Sequence, residues 1–571
     1  MKRILLLIAF IQPLLTIAQD DHKISPLEKL QMPAYLQRIN SNTFTGITLP
    51  PSSPVRASAE WEEIDALMIT WTSFPAILTQ IVQAAQNETK VIIVCSDSNA
   101  VKNSLTGSGV SLSNIDYLVA PFDRIWARDY GQWNIYTNDV DSLALVDWIY
   151  NRPRYNDDSV PVAIHNYTGL PLYRTLSSPF DLIHTGGNFM CDGFGTGFSS
   201  KLILNENPTK TEAQVDTIMK KFMGINRYIK METLPYDDIH HIDMHIKLLD
   251  EETLLVGEYP AGIADGPQIE ANLQYVLSNF NSVYGTPYKV IRIPMPPDAA
   301  NRYPNQSGDY RTYANSVFVN KTVILPVYDP QYDSTALRIY REALPGYNVV
   351  GVNCNSIITQ LGAIHCITKE VAASDPLLIS HQALHDTYNT SSPYDVIARI
   401  QHRSGIQQAM IYYRTDTTLQ WQSVPMSPLT SITHEGQIPP QPAGTTVYYY
   451  IDAQSVSGKT QVRPLTAPAG YWKFNVLLNT GISNSDKPIL IENVFPNPSK
   501  GMTCIPVYTP SNSQISLSLR NILNEEVMLI YNGMNTGDKK YFINTSDISS
   551  GVYILQLKTE TGIFSQKLII R

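Results

Sequence analysis

The sequence has few cysteines and only one long apolar run, which lies at its N-terminus. Five cysteines in 571 residues are too few and too scattered for a disulfide framework, and their spacing does not match a zinc site. An odd number leaves at least one thiol unpaired. Charged residues make up only 16% of the chain and the net charge is -9. This balance argues against nucleic acid or an anionic membrane surface as the main partner.

The N-terminal apolar run has the form of a secretory signal peptide. Met1-Lys2-Arg3 is followed by an apolar stretch from Ile4 to Ile17 and then by Ala18. A basic start, a short apolar core and a small residue near the end predict that residues 1–18 direct export. A buried helix is the alternative. No other stretch is apolar enough to cross a membrane, so we expect no transmembrane anchor.

A repeated unit fills the region from about Trp61 to Glu370. The unit consists of a hairpin, an amphipathic helix and an apolar strand. Alternating apolar residues indicate the hairpin strands, and apolar residues at helical spacing indicate the helix. The predicted helices are Ile77–Gln86, Thr211–Phe222, Gln268–Phe280 and Ser334–Leu344, and the segment Phe198–Leu204 is predicted as extended. Five such units predict an α/β fold, a five-fold ββαβ propeller over residues 55–370.

Polar residues recur at one position of this repeat, just before or at the start of each hairpin. They are Asp129, Asn188, His241 with Asp243, Asn315 and Cys366. Equivalent positions of a circular repeat lie near its axis, so we expect these side chains to meet in one central site.

His241, Asp243 and Cys366 have the residue types needed to hydrolyse a guanidine. Residues two apart on an extended strand share a face, with Cα atoms roughly 6.5–7 Å apart. Such a His and Asp pair could hold a flat cation and move protons for an attacking thiol. The adjacent His240 and His365 are expected to point to the opposite face.

The remainder of the chain is predicted to be all-β. Short alternating runs separated by Pro, Gly and Ser predict an immunoglobulin-like β-sandwich over residues 371–476. A polar linker at 477–488 precedes a small β module at 489–571. Its opening, Pro496-Asn497-Pro498-Ser499-Lys500-Gly501, and its ending, Gly551-Val552-Tyr553-Ile554-Leu555, resemble the C-terminal sorting domain used by the type IX secretion system.

Four motifs in order carry a further resemblance. They are Trp126-Ala127-Arg128-Asp129-Tyr130-Gly131, Gly186-Gly187-Asn188, His241-Ile242-Asp243 and Ile364-His365-Cys366-Ile367-Thr368. Together they resemble the pentein superfamily, in particular the agmatine deiminase and Porphyromonas-type peptidylarginine deiminase family. The resemblance covers about residues 55–370.

The resemblance implies a role for each site residue. Cys366 would be the nucleophile that forms a thiouronium intermediate, with Cys354 as its competitor, and His241 the proton donor and acceptor. Asp129 and Asp243 would bind the guanidinium nitrogens. Asn315 would orient one member of this set, Trp126 would pack on the cation, and Asn188 would line the site.

Arg152 and Arg154 bear on the choice of substrate. Two guanidinium groups near the site would bind a carboxylate and would repel the ammonium group at the far end of agmatine. Agmatine deiminases usually carry an acidic residue before the Gly-Gly pair, where this chain has Thr185. They also carry a Gly-rich run before the nucleophile, of which Gly362 remains. Both departures disfavour agmatine.

The sequence therefore predicts a secreted hydrolase that citrullinates peptidyl arginine, at or near a peptide C-terminus. Agmatine deiminase and a non-catalytic surface-displayed binding protein are the alternatives. Expected partners are arginine-containing peptides or proteins, or agmatine, and the type IX secretion machinery. No cofactor is required by this chemistry, and a structural calcium ion is compatible with the sequence.

Overall fold

The computed structural model of the protein describes residues 22–41, 45–478, 490–491, 494–559 and 562–571. The predicted signal peptide and nearly all of the predicted linker therefore lie outside the described residues. The chain forms two compact units, Met1–Leu477 and Leu478–Arg571. The first unit has a mixed α/β region followed by an all-β module, and the second unit is all-β.

Five small sheets of one pattern, together with a two-stranded parallel sheet of Ile149–Tyr150 and Ile183–His184, make up the α/β region. In each of the five, an antiparallel strand pair is extended by a third strand that runs parallel to its neighbour. The strands, sheet by sheet, are Thr368–Ala372, Ile64–Thr70, Lys90–Cys95 and Ile115–Val119; Val55–Ala57, Trp133–Thr137, Leu143–Asp147 and Leu172–Arg174; Met190–Cys191, Thr196–Ser200 and Arg227–Met231; Ile246–Leu248, Thr253–Glu258 and Lys289–Pro294; and Val317–Val319, Thr322–Val327 and Asn348–Asn353.

A helix makes the crossover between the parallel strands of each sheet, as a parallel connection requires. The crossover helices are Pro75–Ala85, Val160–Thr168, Glu212–Met223, Gly266–Asn279 and Pro330–Ala343. The four predicted helices are thus confirmed, with shifts of one to four residues at their ends. Local signals set these boundaries: Thr211 and Gln214, for example, form a reciprocal capping box at the start of the third helix.

One predicted extended segment is partly wrong. The strand that begins at Thr196 ends at Ser200, and Leu202–Glu206 is a short helix. The Ser200 hydroxyl accepts a hydrogen bond from the backbone N–H of Leu202 at 3.3 Å, which favours a turn at this point. The other helices are Pro26–Ser41, Ser98–Gly107 and Ala127–Tyr130, with short 3-10 turns at Asp157–Ser159, Gly186–Asn188, Ile242–Met244, Pro304–Gln306, Ile358–Gln360 and His365–Ile367.

The two ends of the α/β region meet in one sheet. Thr368–Ala372, the last strand of the region, pairs antiparallel with Ile64–Thr70, one of its first strands. Buried apolar residues of all five units form a core that includes Leu67, Ile229 and Ile324, each with no exposed surface. The turns that precede the strand pairs therefore project from a rigid framework.

The all-β module of the first unit contains two sheets around a core that includes Val396, Ile411 and Ile451. It contacts the α/β region through ion pairs such as Arg463 with Glu251 at 3.1 Å. Its strands are Leu378–Ser380, Tyr394–Gln401, Thr433–Ile438 and Ser427–Pro428 in one sheet, and Gln422–Pro425, Ile406–Arg414, Thr446–Ser455, Thr460–Arg463 and Trp472–Asn475 in the other.

The C-terminal unit is a single sheet with one apolar face. Leu517, Leu555 and Leu568 have no exposed surface and anchor its core. The strands are Leu490–Ile491, Met502–Arg520, Glu526–Asn544, Gly551–Thr559 and Ile563–Ile570. Within the described residues of the whole chain, every helix is too short or too polar to span a bilayer.

Candidate active site

Cys366 lies in a buried 3-10 turn, His365–Ile367, directly before the strand Thr368–Ala372. The side chain has no exposed surface. Asn315 donates from Nδ2 toward the Cys366 Sγ at 3.2 Å, and its Oδ1 accepts the backbone N–H of His365 at 3.0 Å. One amide therefore fixes both the turn and the sulfur.

The surroundings of Cys366 favour the neutral thiol. Burial, together with the negative charges of Asp243 and Asp129, raises the pKa of the Cys366 thiol well above its usual value. The thiol points toward Asp243 Oδ2, with the sulfur 3.5 Å from that oxygen. A cation placed between these groups would reverse the balance and favour the thiolate.

His241 and Asp243 flank the start of another 3-10 turn, Ile242–Met244. The backbone is extended at His241 and helical at Asp243, so the predicted extended strand is wrong here although both side chains still face the site. His241 is fully buried, and burial lowers the pKa of its imidazole to about 4. Neither ring nitrogen of His241 has a hydrogen-bond partner among the described residues. The ring is thus neutral near pH 7 and available to take up a proton.

Asp129 enters the site from the short helix Ala127–Tyr130. Its Oδ1 accepts the backbone N–H of Gly187 at 3.3 Å and lies 3.6 Å from His241 Nδ1. Burial opposes ionisation of this carboxyl, but the hydrogen bond from His22 and the charges of His22, His241 and Arg152 together outweigh it and hold the pKa of Asp129 well below its usual range. The carboxylate is therefore charged at neutral pH.

Two adjacent glycines allow these segments to approach each other. An added Cβ at Gly186 would lie 1.9 Å from the carbonyl oxygen of Arg128, and one at Gly187 would lie 2.5 Å from His241 Nδ1. Either methyl group would overlap its neighbour, so the pair forms a floor that larger residues could not form.

Trp126 forms one wall of the site and is fully buried. Its ring packs against Gly362, where an added Cβ would lie 2.4 Å from the indole. The indole also stacks on the imidazole of His22, with ring centroids 3.9 Å apart. A flat cation is thus accommodated against this wall.

Sequence reasoning missed two residues that support Asp243. Each ring nitrogen of His365 lies within hydrogen-bond distance of a carboxylate oxygen: Nδ1 is 2.7 Å from Asp243 Oδ2, and Nε2 is 2.7 Å from Glu60 Oε1. An extended chain would point His365 away from the site, but in the 3-10 turn it faces Asp243. Glu60 is 305 residues away in sequence. The position of His365 beside the predicted nucleophile was the only available signal.

A buried charge network surrounds Glu60. Lys247 lies 2.6 Å and Arg128 3.6 Å from Glu60 oxygens, and Arg128 also pairs with Glu370 at 2.8 Å. Burial opposes ionisation of Glu60, yet the charges of His365, Lys247 and Arg128 hold its pKa well below the usual value. These contacts therefore link Asp243, through His365 and Glu60, to the cationic groups of Lys247 and Arg128.

Arg152 and Arg154 follow the short strand Ile149–Tyr150 and are nearly buried, with 6% and 4% of their surface exposed. Arg152 donates to the carbonyl of His22 at 3.4 Å. Arg154 donates to the carboxylate of Glu28 at 2.7 Å and to the carbonyl of Lys23 at 3.3 Å. Both arginines thus bind oxygens of a peptide segment beside the site.

Asn188 is buried with both ends of its amide bonded to Ser200. Its Oδ1 accepts the Ser200 backbone N–H at 2.9 Å, and its Nδ2 donates to the Ser200 carbonyl at 3.5 Å. The Ser200 hydroxyl in turn donates to the carbonyl of His240. Asn188 therefore supports the segment before His241, and its predicted contact with substrate stays a prediction.

Two other groups, a second thiol and a possible set of metal ligands, have simpler explanations. Cys354, the competing thiol, is fully buried and burial alone raises its pKa. Among the described residues, one set of ligand atoms is grouped closely enough to suggest a metal ion: His22, Asp129 and His241, within 4.8 Å of one another. His22 and Asp129 hydrogen-bond directly, which leaves no room for an ion between those two atoms.

This arrangement of a thiol, a neutral imidazole and two carboxylates around one small space suits nucleophilic attack on a planar cation. Residues 56–371 match the sequence model of the Porphyromonas-type peptidyl-arginine deiminase family. The match covers more than half of the chain, and the chain belongs to this family. Residues 493–571 match the secretion system C-terminal sorting domain, which implies that the protein is secreted.

Individual relatives agree with this assignment. The chain is 25% identical over 370 residues to a "Putative agmatine deiminase" of Vibrio parahaemolyticus, covering 57% of this chain and 99% of the relative. It is 26% identical over 362 residues to a protein of the same description from Yersinia pestis, covering 55% and 95%. A solved structure described as a "Putative Arginine Deiminase" from Porphyromonas gingivalis has a TM-score of 0.50 at 21% identity and covers 56% of this chain and 99% of its own. That likeness concerns the fold.

Proposed function

We propose that this protein is a secreted deiminase that converts the arginine of peptides, at or near a C-terminus, to citrulline and ammonia. The observation that carries the proposal is the position of Arg152 and Arg154. They lie beside the candidate site and bind a carboxylate and two peptide carbonyls there. A site that combines a cation pocket with a binding place for carboxylate oxygens fits a C-terminal arginine.

The reaction uses Cys366 as nucleophile. Its sulfur attacks the guanidinium carbon held between Asp129 and Asp243, and the thiol proton passes to His241. His241 gives this proton to the departing nitrogen, which leaves as ammonia and takes the C–N bonding pair with it. A thiouronium remains on Cys366. Water then attacks the same carbon and loses one proton to His241, which passes it to the displaced sulfur, while the second proton of the water is released to solvent. The products are a neutral ureido group and ammonia, which carries the released proton as ammonium.

The substrate supplies the charge that the resting site lacks. The thiol of Cys366 is neutral in the resting protein because two carboxylates and burial raise its pKa. A guanidinium bound between Asp129 and Asp243 neutralises them and brings a positive charge toward the sulfur. Thiolate formation is therefore coupled to binding of a cation, which limits reaction with other molecules.

An assay for the ureido product tests this function. Agmatine and peptides with an internal or a C-terminal arginine are offered separately to the full chain. We expect citrulline from the C-terminal arginine, and loss of all turnover in Cys366→Ala. Arg152→Ala with Arg154→Ala should raise the KM for the C-terminal peptide. Arg338→Ala, which removes an exposed arginine paired with Glu342, is the matched control and should change nothing. Unaffected turnover in the double variant would contradict the carboxylate-binding role.

Agmatine is the second candidate substrate, and Glu206 is the observation in its favour. Burial raises the pKa of the Glu206 carboxyl to about 7, and the carboxyl interacts electrostatically with Arg152 and Asp129. Its Oε2 has no hydrogen-bond partner among the described residues. A diamine-like cation needs such a carboxylate for its far end. Turnover of agmatine that is lost in Glu206→Gln would favour this substrate over peptidyl arginine.

The finer architecture belongs to the same proposal. The five units would close into a pentein propeller with the site at its axis, and the module at 371–476 would be an immunoglobulin-like support. The C-terminal region would direct export by the type IX system. A non-catalytic, surface-displayed binding protein is the alternative if no guanidine is turned over. The chemistry proposed here needs no cofactor.

A further inference from the structure

The N-terminal segment of the described chain occupies the candidate active site. His22 has no exposed surface, although it begins the described residues. Its imidazole stacks on Trp126 with the ring planes 6° from parallel and centroids 3.9 Å apart. Its Nε2 hydrogen-bonds Asp129 Oδ2, and its Nδ1 lies 2.8 Å from the carbonyl oxygen of Leu361.

These contacts duplicate those proposed for the substrate. An imidazole and a guanidinium are both flat, delocalised groups that stack on an indole and present N–H donors at their edges. Asp129 and Trp126 are the carboxylate and the aromatic wall assigned to the guanidinium. Because His22 already fills both contacts, a substrate guanidinium and His22 cannot be bound at the same time.

The chain that follows His22 contacts the two arginines that are proposed to bind the peptide substrate. Arg152 and Arg154 donate to the carbonyls of His22 and Lys23 at 3.4 Å and 3.3 Å. Glu28 presents its carboxylate to Arg154 at 2.7 Å, and this contact holds the pKa of Glu28 to about 2 in spite of partial burial. The segment therefore also uses the residues proposed to bind the peptide substrate.

A docked helix holds the segment in place. The helix Pro26–Ser41 begins with a reciprocal cap, in which Ser25 and Glu28 each accept the other's backbone N–H. Further along, Tyr35 and Ile39 are buried in a cluster with Ile149 and Leu176. The helix thus packs against the strand that leads to Arg152. A tethered ligand of this kind binds at a high effective concentration, so weak contacts suffice for high occupancy.

We propose that residues 22–28 are an intramolecular inhibitor of the active site, with His22 in place of the substrate guanidinium, and that the chain is latent until this segment is withdrawn. The proposal rests on the proposed function, since that function identifies what the segment blocks. The contacts of the segment itself do not depend on any substrate.

The first test measures turnover in the full chain. His22→Ala removes the stacking and the bond to Asp129, and Glu28→Gln removes the ion pair with Arg154 while keeping the shape of the side chain. If the segment fills the site in more than about nine molecules in ten, emptying it raises kcat/KM at least about tenfold. Leu30→Ala is the matched control, because Leu30 lies on the same helix with 79% of its surface exposed. It should leave kcat/KM unchanged.

The second test needs no substrate. Iodoacetamide alkylates accessible thiols, and mass mapping of peptides distinguishes Cys366 from the four other cysteines, all of them free and buried. We expect Cys366 to be alkylated faster in His22→Ala and in Glu28→Gln than in the wild type or Leu30→Ala. Faster alkylation with no turnover of any guanidine would refute the proposed function and leave the inhibitory segment standing.

Other outcomes would overturn the inhibitory role. Equal turnover and equal alkylation of Cys366 in all four chains would show that the segment does not restrict the site. Lower turnover in His22→Ala with unchanged alkylation would show that His22 assists the reaction. Thermal unfolding monitors the fold of each variant, and if His22→Ala does not fold, Glu28→Gln decides, since glutamine keeps the length of the side chain and can still accept the Ser25 backbone N–H.

Discussion

Gly187 provides the most direct test of the site geometry. Replacing it with alanine adds a methyl group that would lie 2.5 Å from His241 Nδ1, 3.0 Å from Asp129 Oδ1 and 3.2 Å from Asp243 Oδ2. A carbon and a nitrogen need roughly 3.5 Å, so the imidazole must move by about 1 Å. The methyl group also takes up the space between the two carboxylates that the guanidinium needs.

The expected loss follows from that displacement. A misplacement of about 1 Å in a catalytic group costs about 10²-fold in rate, which is about 2.7 kcal/mol of transition-state stabilisation. Overpacking of a buried site also costs about 1–3 kcal/mol of the free energy of unfolding. We therefore expect Gly187→Ala to fold and to lose about 10²-fold or more in kcat/KM.

The measurement is kcat/KM for whichever guanidine the wild-type chain turns over, with thermal unfolding recorded in parallel. Both the wild type and His22→Ala serve as backgrounds, so that occupancy by the N-terminal segment does not hide the effect. Gly107→Ala is the control, because an added Cβ at Gly107 has no atom within 4 Å. If Gly187→Ala keeps kcat/KM within about threefold of its background, the three groups do not act together around Gly187 and the proposed site is wrong.

Three further predictions concern the groups around the nucleophile. Glu60→Gln breaks a buried ionic contact with His365, so it should lower the free energy of unfolding by about 3 kcal/mol and reduce kcat more than it changes KM. Urea unfolding and steady-state kinetics check this prediction, and an unchanged kcat would exclude a positioning role for Glu60. Asn315→Ala leaves the His365 backbone N–H without its side-chain acceptor and the Cys366 sulfur without a donor, so kcat should fall at least about tenfold with about 1–3 kcal/mol lost in stability; full activity would contradict it. Because the pKa of Cys366 is raised in the free protein and that of His241 is lowered to about 4, the thiol and the imidazole are both neutral across neutral pH, which is the state that the proposed proton transfer needs. The value of kcat/KM should therefore be level from about pH 6 to about pH 8 and fall below about pH 5 as His241 takes up a proton, and a steady rise of about tenfold per pH unit across neutral pH would count against this protonation state.

The repeat was predictable because each unit carries its own local signals. The helix Gly266–Asn279 was predicted as Gln268–Phe280 from the spacing of apolar residues alone. The residues before each hairpin were likewise identified from their common position in the repeat. The strand end at Ser200 is not visible in the sequence, because the apolar residues Leu202 to Leu204 continue the run and the side-chain contact that supports the turn there leaves no mark on the apolar pattern.

The direction of single side chains was less predictable. His365 was assigned to the wrong face, since one residue in a 3-10 turn rotates the side chain by about a third of a turn and not by a half. Glu60 could not have been placed beside His365 at all, because the contact joins residues 305 apart. The same holds for His22 and Asp129, which are 107 apart.

The sequence by itself determined the repeated α/β units, the C-terminal β regions and the chemical types of the site residues, because periodicity and short motifs are local properties of the chain. Only the tertiary structure decided which charges face each other: the bridge from Asp243 through His365 to Glu60, the neutral state of the Cys366 thiol, and the occupation of the site by His22. These depend on burial and on distances between residues that are remote in sequence, and both quantities exist only once the sheets have packed together.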